Sequence, residues 1–294
     1  MILAVASGKG GTGKTTIAVN LALTLEATLH VQVLDCDVEE PDCHLFLRPT
    51  LDMAEGVTMP VPDIDSSRCN GCGRCAKVCA FHSIIMTGNQ AITFPELCHG
   101  CGGCSLFCPT GAISEKPVEI GVIESGKAGR IGFVQGRLSV GSALAPPVIR
   151  AVRRKTMGDV KGWVTIIDAP PGTSCPVVNS VAGVDFCLLV TEPTPFGLND
   201  LILAVGMVRQ LGVPFGVVIN RSGLGDLVSI KSYCQQEGIP ILLEIPFDRR
   251  YAACYARGGR LVEEFAELKR AFKELWQKIE ETLENERTKR TAGH

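Results

Sequence analysis

Residues 5–20 read VASGKGGTGKTTIAVN. The apolar run MILAVA leads into this glycine-rich turn, and the apolar-periodic segment KTTIAVNLALTLE follows it. Strand, glycine loop and helix, in that order, constrain the fold more than any other feature. Gly8-x4-Gly13-Lys14-Thr15 matches a phosphate-binding loop. In such a loop glycines let backbone N–H groups wrap phosphate oxygens, and the helix N-terminus adds positive potential. The candidate contacts are Gly8, Gly10, Gly11, Thr12, Gly13, Lys14, Thr15 and Thr16. Lys14 is placed to reach the β and γ phosphates of ATP, and the Thr15 hydroxyl to hold Mg²⁺. Lys9 is one lysine more than the loop requires.

Five further apolar runs, VQVLD, WVTIID, FCLLVT, FGVVIN and PILLEI, lack polar alternation. They read as strands buried on both faces, as in a parallel sheet. Helical patterns such as GLNDLILAVGMVRQLG lie between them. The repetition predicts a doubly wound, mostly parallel α/β sheet. Acids end two of these strands, where ligands of open α/β sheets bind. Asp168 closes WVTIID and is the expected second Mg²⁺ residue. Asp35 and Asp37 close VQVLDCD. Asp37 is the candidate for orienting the attacking water, and Asp35 reads equally well as an acid with a direct role at the site or as a loop acid or helix cap.

Residues 62–117 break the rhythm. They are rich in Cys and Gly, start after MPVPDIDSS and end near EKPVEIG. They read as an inserted module between a first part, 1–61, and a second part, 118–294, of one α/β domain. After the insert, EIGVIES and RIGFVQG are expected to pair as a hairpin. Near the C-terminus Leu261, Phe265, Leu268, Phe272, Leu275, Ile279 and Leu283 form one helical stripe. A helix docked on its own domain accounts for that stripe. A membrane-surface helix would want a basic polar face, whereas Glu and Lys are mixed here.

Within the insert, Cys69-x2-Cys72-x2-Cys75-x3-Cys79 recurs as Cys98-x2-Cys101-x2-Cys104-x3-Cys108-Pro109. This resembles the run of two-cluster bacterial ferredoxins, in which the fourth cysteine ligates the other cluster. The resemblance implies two [4Fe–4S] clusters, one on Cys69, Cys72, Cys75 and Cys108, the other on Cys98, Cys101, Cys104 and Cys79. Ile84 and Ile113, at equivalent positions, are expected to pack over them. Ala80 stands where the first run would carry proline; no ligand is lost. Zinc is the rival metal for paired CxxC motifs. His82 and His99 read as surface or outer-sphere groups. Cys36, Cys43, Cys187, Cys234 and Cys254 show no ligand spacing.

Fourteen cysteines in this pattern are expected as metal ligands rather than disulfides. The chain start lacks the basic region and cleavage site of a signal peptide, no apolar run spans a bilayer, and the net charge of −2 argues against a broad nucleic-acid-binding face. A cytoplasmic protein without stable membrane insertion is the resulting expectation.

KGGTGKTT, LDCD, IIDAPPG, TEPTPFGL, VVINRSG and IPFD together resemble the deviant Walker A ATPases (SIMIBI type): the MinD, ParA, Mrp and nitrogenase iron-protein group. The resemblance implies a homodimer closed by ATP, in which Lys9 crosses to the partner's nucleotide, Asn220 lies against adenine, and Asp37 serves hydrolysis. It implies slow ATP hydrolysis, stimulated by dimerisation or by a partner. Cys175, seven residues after Asp168, matches the offset of a bridging-cluster ligand in the nitrogenase iron protein, though no second ligand is evident; a buried or incidental thiol is the other account. Three functions remain open. ATP gates electron delivery through the clusters to a redox partner; the protein assembles or carries Fe–S or metal clusters to an acceptor; or it is a MinD-like positioning switch with structural or redox-sensing clusters.

Overall fold

A computed structural model describes residues 1–155 and 162–292. Its strands are β1 (Ile2–Ala6), β2 (His30–Asp35), β3 (Thr50–Ile64), β4 (Ile84–Thr87), β5 (Gln90–Thr93), β6 (Ile113–Ala128), β7 (Ile131–Leu138), β8 (Trp163–Asp168), β9 (Phe186–Thr191), β10 (Phe215–Ser222) and β11 (Ile241–Pro246). Nine of them form one sheet in the order β11-β10-β9-β1-β8-β2-β7-β6-β3. From β11 to β7 every neighbouring pair is parallel. All six strands expected from apolar runs lie in this block.

Helices cover both faces. Lys14–Leu25 and the long C-terminal helix Ala266–Ala292 enclose one core with Leu3, Val33 and Ile166. Ala145–Arg154, Cys175–Val181, Pro195–Gln210 and Leu227–Gln236 enclose the other, with Ala4, Leu34 and Ile167. Alternate residues of each strand thus feed opposite cores, as the pleat requires. Leu268, Phe272, Leu275, Ile279 and Leu283 are buried in the first core. The C-terminal stripe is therefore occupied by the protein's own sheet. Among the described residues no helix is long and apolar enough to cross a membrane.

The departure from expectation is β3. It forms a long edge ribbon with β6, antiparallel from Thr50↔Lys127 to Ile64↔Ile113. Pro60 and Pro62 are tolerated because β3 is the sheet's edge, where a missing N–H need not break a ladder. The ribbon continues beyond Ile64: Asp65 N–H donates to Ala112 O at 2.8 Å. The expected module boundaries at 62 and 117 fall inside this ribbon. The hairpin of β6 with β7 forms around Gly129–Arg130, with Ala128 opposite Ile131 and Gly129 at φ 60°. Residues of β6 before Gly121, which pairs with Leu138, run past the C-terminal end of β7. The cysteine segment is thus carried off the sheet at the end where the phosphate loop lies.

Helix Ala145–Arg154 seats tightly on the base of the ribbon. A Cβ at Gly121 would meet Val148 Cγ2 at 2.8 Å, and one at Gly136 would meet Val152 Cγ2 and Val38 Cγ1, each at 2.7 Å. These glycines set the approach of helix to sheet. Gly136→Ala is expected to cost about 1–3 kcal/mol through overpacking and to lower the thermal midpoint. Adding Val152→Ala should recover part of the loss; an unchanged midpoint in the single variant would refute the contact.

Candidate functional site

The loop after β1 has the shape of an anion cradle. Gly11 and Gly13 adopt φ of 77° and 96°, and no side chain caps the helix that starts at Lys14. Its first N–H groups are left for a ligand. A Cβ at Gly8 would strike Asp200 O at 2.1 Å, so the loop can take this path only with glycine there. Gly10, Gly11, Gly13, Lys14, Thr15, Thr16, Asp37 and Asn220 line a single cavity of about 400 Å³, which continues along Phe247 and Tyr251. That volume suits a nucleotide. Asn220 reaches the loop directly: its Nδ2 donates to Thr12 O at 2.8 Å, and its Oδ1 accepts the Arg221 N–H.

Beneath the loop, β2 and β8 place Asp35 directly opposite Asp168. Thr15 Oγ1 donates to Asp168 Oδ2 at 2.6 Å. Asp168 Oδ1 and Thr12 Oγ1 are buried without a partner among the described residues. Asp35 accepts the N–H of Asp37 at 3.2 Å and of Cys43 at 3.0 Å. Its contacts are thus those of a loop-organising acid. Burial, then the neighbouring Asp168, pushes the Asp35 carboxyl well above the usual range. Burial also raises Asp168, opposed by Lys14 and the Thr15 hydroxyl. Asp37 is pushed up to about 7 by burial and then by Asp168, with Lys14 working against the shift.

Lys9 is not among the residues that line the cavity at its own loop. Its Nζ pairs with Glu192 Oε1 at 2.7 Å, and Glu192 also holds Arg221 at 3.0 Å. Glu192 escaped the sequence reading, although an acid just beyond a parallel strand adjacent to β1 fits the rule for ligand-side residues. Cys43 escaped it too, and no spacing signal marks it: its thiol donates to Asp168 Oδ2 at 3.4 Å across 125 positions.

The eight motif cysteines divide between two small cavities of about 20 Å³ each. Cys69, Cys72, Cys75 and Cys108 line one, beneath Ile64 and Ile113. Cys79, Cys98, Cys101 and Cys104 line the other, beside Pro60, Pro62 and Phe81. Each run therefore lends its fourth cysteine to the other's first three. Electrostatics divide them the same way. After burial, Cys69 and Cys108 raise the Cys75 thiol, and Cys98 and Cys101 raise Cys104. Gly71, Gly73, Gly100, Gly102 and Gly111, all at positive φ, wrap the backbone around the sulfurs.

Amides reach those sulfurs. Ser83 and Ala112 N–H donate to Cys79 and Cys108 Sγ at 3.3 Å, and Gly100 N–H to Cys98 Sγ at 3.4 Å. Burial opposes ionisation of Cys79 and Cys108, but the Ser83 and Thr110 hydroxyls and these amides outweigh it, and both thiols are lowered. Such donors suit bound thiolates. A single tetrahedral zinc would hold its sulfurs about 3.8 Å apart. Among the described residues, the three ligand atoms that come within 4.8 Å of one another belong to Asp35, Cys43 and Asp168, not to the motif cysteines. No three motif sulfurs among the described residues are drawn that close together, so the sets are spaced more widely than one zinc ion would hold them.

His99 stacks on Phe81 at 3.5 Å, and both are exposed, as is His82. Cys175 is exposed at the start of its helix. Cys36, Cys187, Cys234 and Cys254 are buried in the body of the protein.

Residues 3–262 match the family described as the CobQ/CobB/MinD/ParA nucleotide binding domain. The chain belongs to this family. It is 31% identical over 284 residues to an uncharacterised protein of Methanocaldococcus jannaschii, covering 96% of this chain and 98% of the relative. It is 26% identical over 297 residues to an iron-sulfur cluster carrier protein of Pyrococcus horikoshii, covering 94% and 84%. In fold it is similar to the septum site-determining protein MinD of Pyrococcus horikoshii, solved with Mg-ADP, at a TM-score of 0.58 and 18% identity over 95% of each chain. That likeness speaks for the fold: a mostly parallel α/β sheet of the MinD type. The chain is an ATP-binding P-loop protein of this family.

An acid raised by folding favours the folded state below its unfolded pKa, and the advantage is lost as pH rises through its folded value. For Asp37 the loss runs from about 4 to about 7. The nucleotide-free protein should therefore melt progressively lower from pH 5 to pH 8. Asp37→Asn should make that fall shallower, Asp35 and Asp168 supplying the remainder. An equal slope in the variant would remove Asp37 from the acid cluster.

Proposed function

We propose that the chain is a Mg-ATP-dependent, dimerising ATPase that couples nucleotide state to two [4Fe–4S] clusters in an inserted ferredoxin-like module, in ATP-linked electron transfer. The division of eight cysteines into two interleaved sets carries this reading. When bound, the clusters supply one-electron exchange with a partner protein. Cys69, Cys72, Cys75 and Cys108 would hold one, and Cys98, Cys101, Cys104 and Cys79 the other, with backbone amides damping the charge on their sulfurs.

At the nucleotide, Lys14 and the open helix N-terminus neutralise phosphate charge. Thr15 and Asp168 are the residues for Mg²⁺, and Asp37 is the acid beside the γ-phosphate end. Lys9 is held by Glu192 in the single chain. In a closed pair of chains it would transfer to the other nucleotide and stabilise charge developing there.

Coupling has a physical route. The loop after Asp168 enters helix Cys175–Val181, whose last carbonyls accept bonds from Arg153, at Asn179 O and Ala182 O (2.5 and 2.9 Å), while Arg150 donates to Asn179 Oδ1. Both arginines sit on the helix seated against Gly121 and Gly136. Just past its end, Lys155 pairs with Glu55 of β3. Two rigid elements thus join the phosphate side of the sheet to the ribbon that bears the cysteines.

The cluster-maturation reading is favoured by relatives named iron-sulfur cluster carrier proteins, which align over most of the chain. Closed sets of four ligands argue instead for clusters that stay in place, since a carrier needs a labile site. The positioning-switch reading is weakened by a C-terminal helix whose apolar face is already covered.

Anaerobically prepared protein should contain about eight iron and eight sulfide per chain. Cys108→Ser should disturb the same paramagnetic centre as Cys72→Ser, and Cys79→Ser the same one as Cys101→Ser. Mg-ATP should change the spectrum of the reduced centres, and the double variant Arg150→Ala, Arg153→Ala should abolish that change while nucleotide still binds. Protein without iron would end the reading; spectra indifferent to nucleotide would end the coupling.

A further inference from the structure

Among the cysteines outside the two cavities, Cys43 is the one whose sulfur touches a phosphate-site acid. It is fully buried and opens the short helix Cys43–Leu47. Its backbone N–H donates to Asp35 Oδ2 at 3.0 Å, which fixes where the helix begins. Its thiol donates to Asp168 Oδ2 at 3.4 Å. The same oxygen accepts from Thr15 Oγ1 at 2.6 Å, while Asp168 Oδ1 is buried with no partner among the described residues. Sulfur and one oxygen from each acid lie within 4.8 Å of one another.

Both donors therefore fall on one oxygen of Asp168. A carboxylate rotates easily about its last torsion. Held at Oδ2 from two sides, it keeps Oδ1 as the free acceptor. The two donors are not equivalent. Thr15 is the hydroxyl read as a cation ligand, whereas the Cys43 thiol faces the two acids, Asp168 and then Asp35. A thiol is also a weak donor, so it orients the carboxylate while withdrawing little of the charge that a cation needs.

We infer that Cys43 is a positioning residue for the divalent cation: its thiol, aimed by Asp35, holds Asp168 with Oδ1 free for the cation or its waters. The inference rests on the reading of Asp168 as the Mg²⁺ acid.

The test is binding of a fluorescent ATP analogue as Mg²⁺ is titrated, with parallel binding in EDTA. Losing one such bond should raise the Mg²⁺ concentration for half-maximal tightening by roughly three- to ten-fold in Cys43→Ala. Affinity in EDTA should stay unchanged, and Cys43→Ser should restore the Mg²⁺ dependence. Cys43→Val fills the space without a donor and should behave like the alanine variant, which separates donation from packing. An unchanged Mg²⁺ response in Cys43→Ala and Cys43→Val, or an equal loss in EDTA, overturns the inference. Asp168→Asn separates the two layers. If it removes the Mg²⁺ dependence while Cys43→Ala does not, only the role of Cys43 falls. If Asp168→Asn leaves the dependence intact, the reading of Asp168 falls, and the role of Cys43 with it.

Discussion

Two carboxylates that repel each other lie side by side under the phosphate loop. The register of β2 with β8 puts Asp35 opposite Asp168, and neither is exposed. Burial and mutual repulsion both disfavour their charge. The surroundings answer with a buried lysine, a threonine hydroxyl, a thiol and backbone N–H groups. One acceptor, Asp168 Oδ1, is left over. Protonation or compensating positive charge relieves such a cluster, so the strand ends and the loop form one electrostatic unit.

Much of this was legible in the residues because it is local. Continuous apolar runs mark strands covered on both faces, and the glycine loop between MILAVA and KTTIAVN fixes what joins the first two elements. The resemblance of the cysteine runs to two-cluster ferredoxins implied the division into two sets that line the two small cavities. Leu268 to Leu283 of the expected stripe mark the docked helix, whereas Leu261 lies in a separate short helix, Leu261–Glu264, and Phe265 is extended between the two. What stayed hidden depends on register between distant segments. Cys43 meets Asp168, and Lys9 meets Glu192, only once the parallel sheet is assembled. Strand β3 was hidden for another reason. Most of its residues are exposed, and Pro60 and Pro62 argue against a central strand. It is a strand because β6 supplies a ladder, not because its own pattern demands one.

Placing the cysteines on an edge ribbon solves a packing problem. Most of the two main cores lies within the parallel block and its helices, with Met59, Val61, Ile120 and Ile123 of the ribbon joining one of them; the ribbon then leaves that block at one side. An excursion there interrupts no central ladder. The small unit beyond Asp65 has little core of its own: Cys75, Ile84 and Ile113 are its buried cluster. Two of these three flank a cysteine cavity or belong to it.

The two cavities are not equivalent in their attachment. Pro60, Pro62 and Glu115 border the cavity of Cys79, Cys98, Cys101 and Cys104. Cys98 packs into the same core as Met59, Val61 and Ile120 of the ribbon, and that core is continuous with the helix bearing Arg150 and Arg153. Ile64 and Ile113, the last ribbon pair, border the other cavity. With about 3.3 Å of rise per residue, the first cavity lies inward and the second at the ribbon's tip. The helix on Gly121 and Gly136 is continuous with the inner cavity through packed side chains, whereas the outer one joins that core through the ribbon. Each cavity has one exposed cysteine at its rim, Cys101 at the inner and Cys72 at the outer.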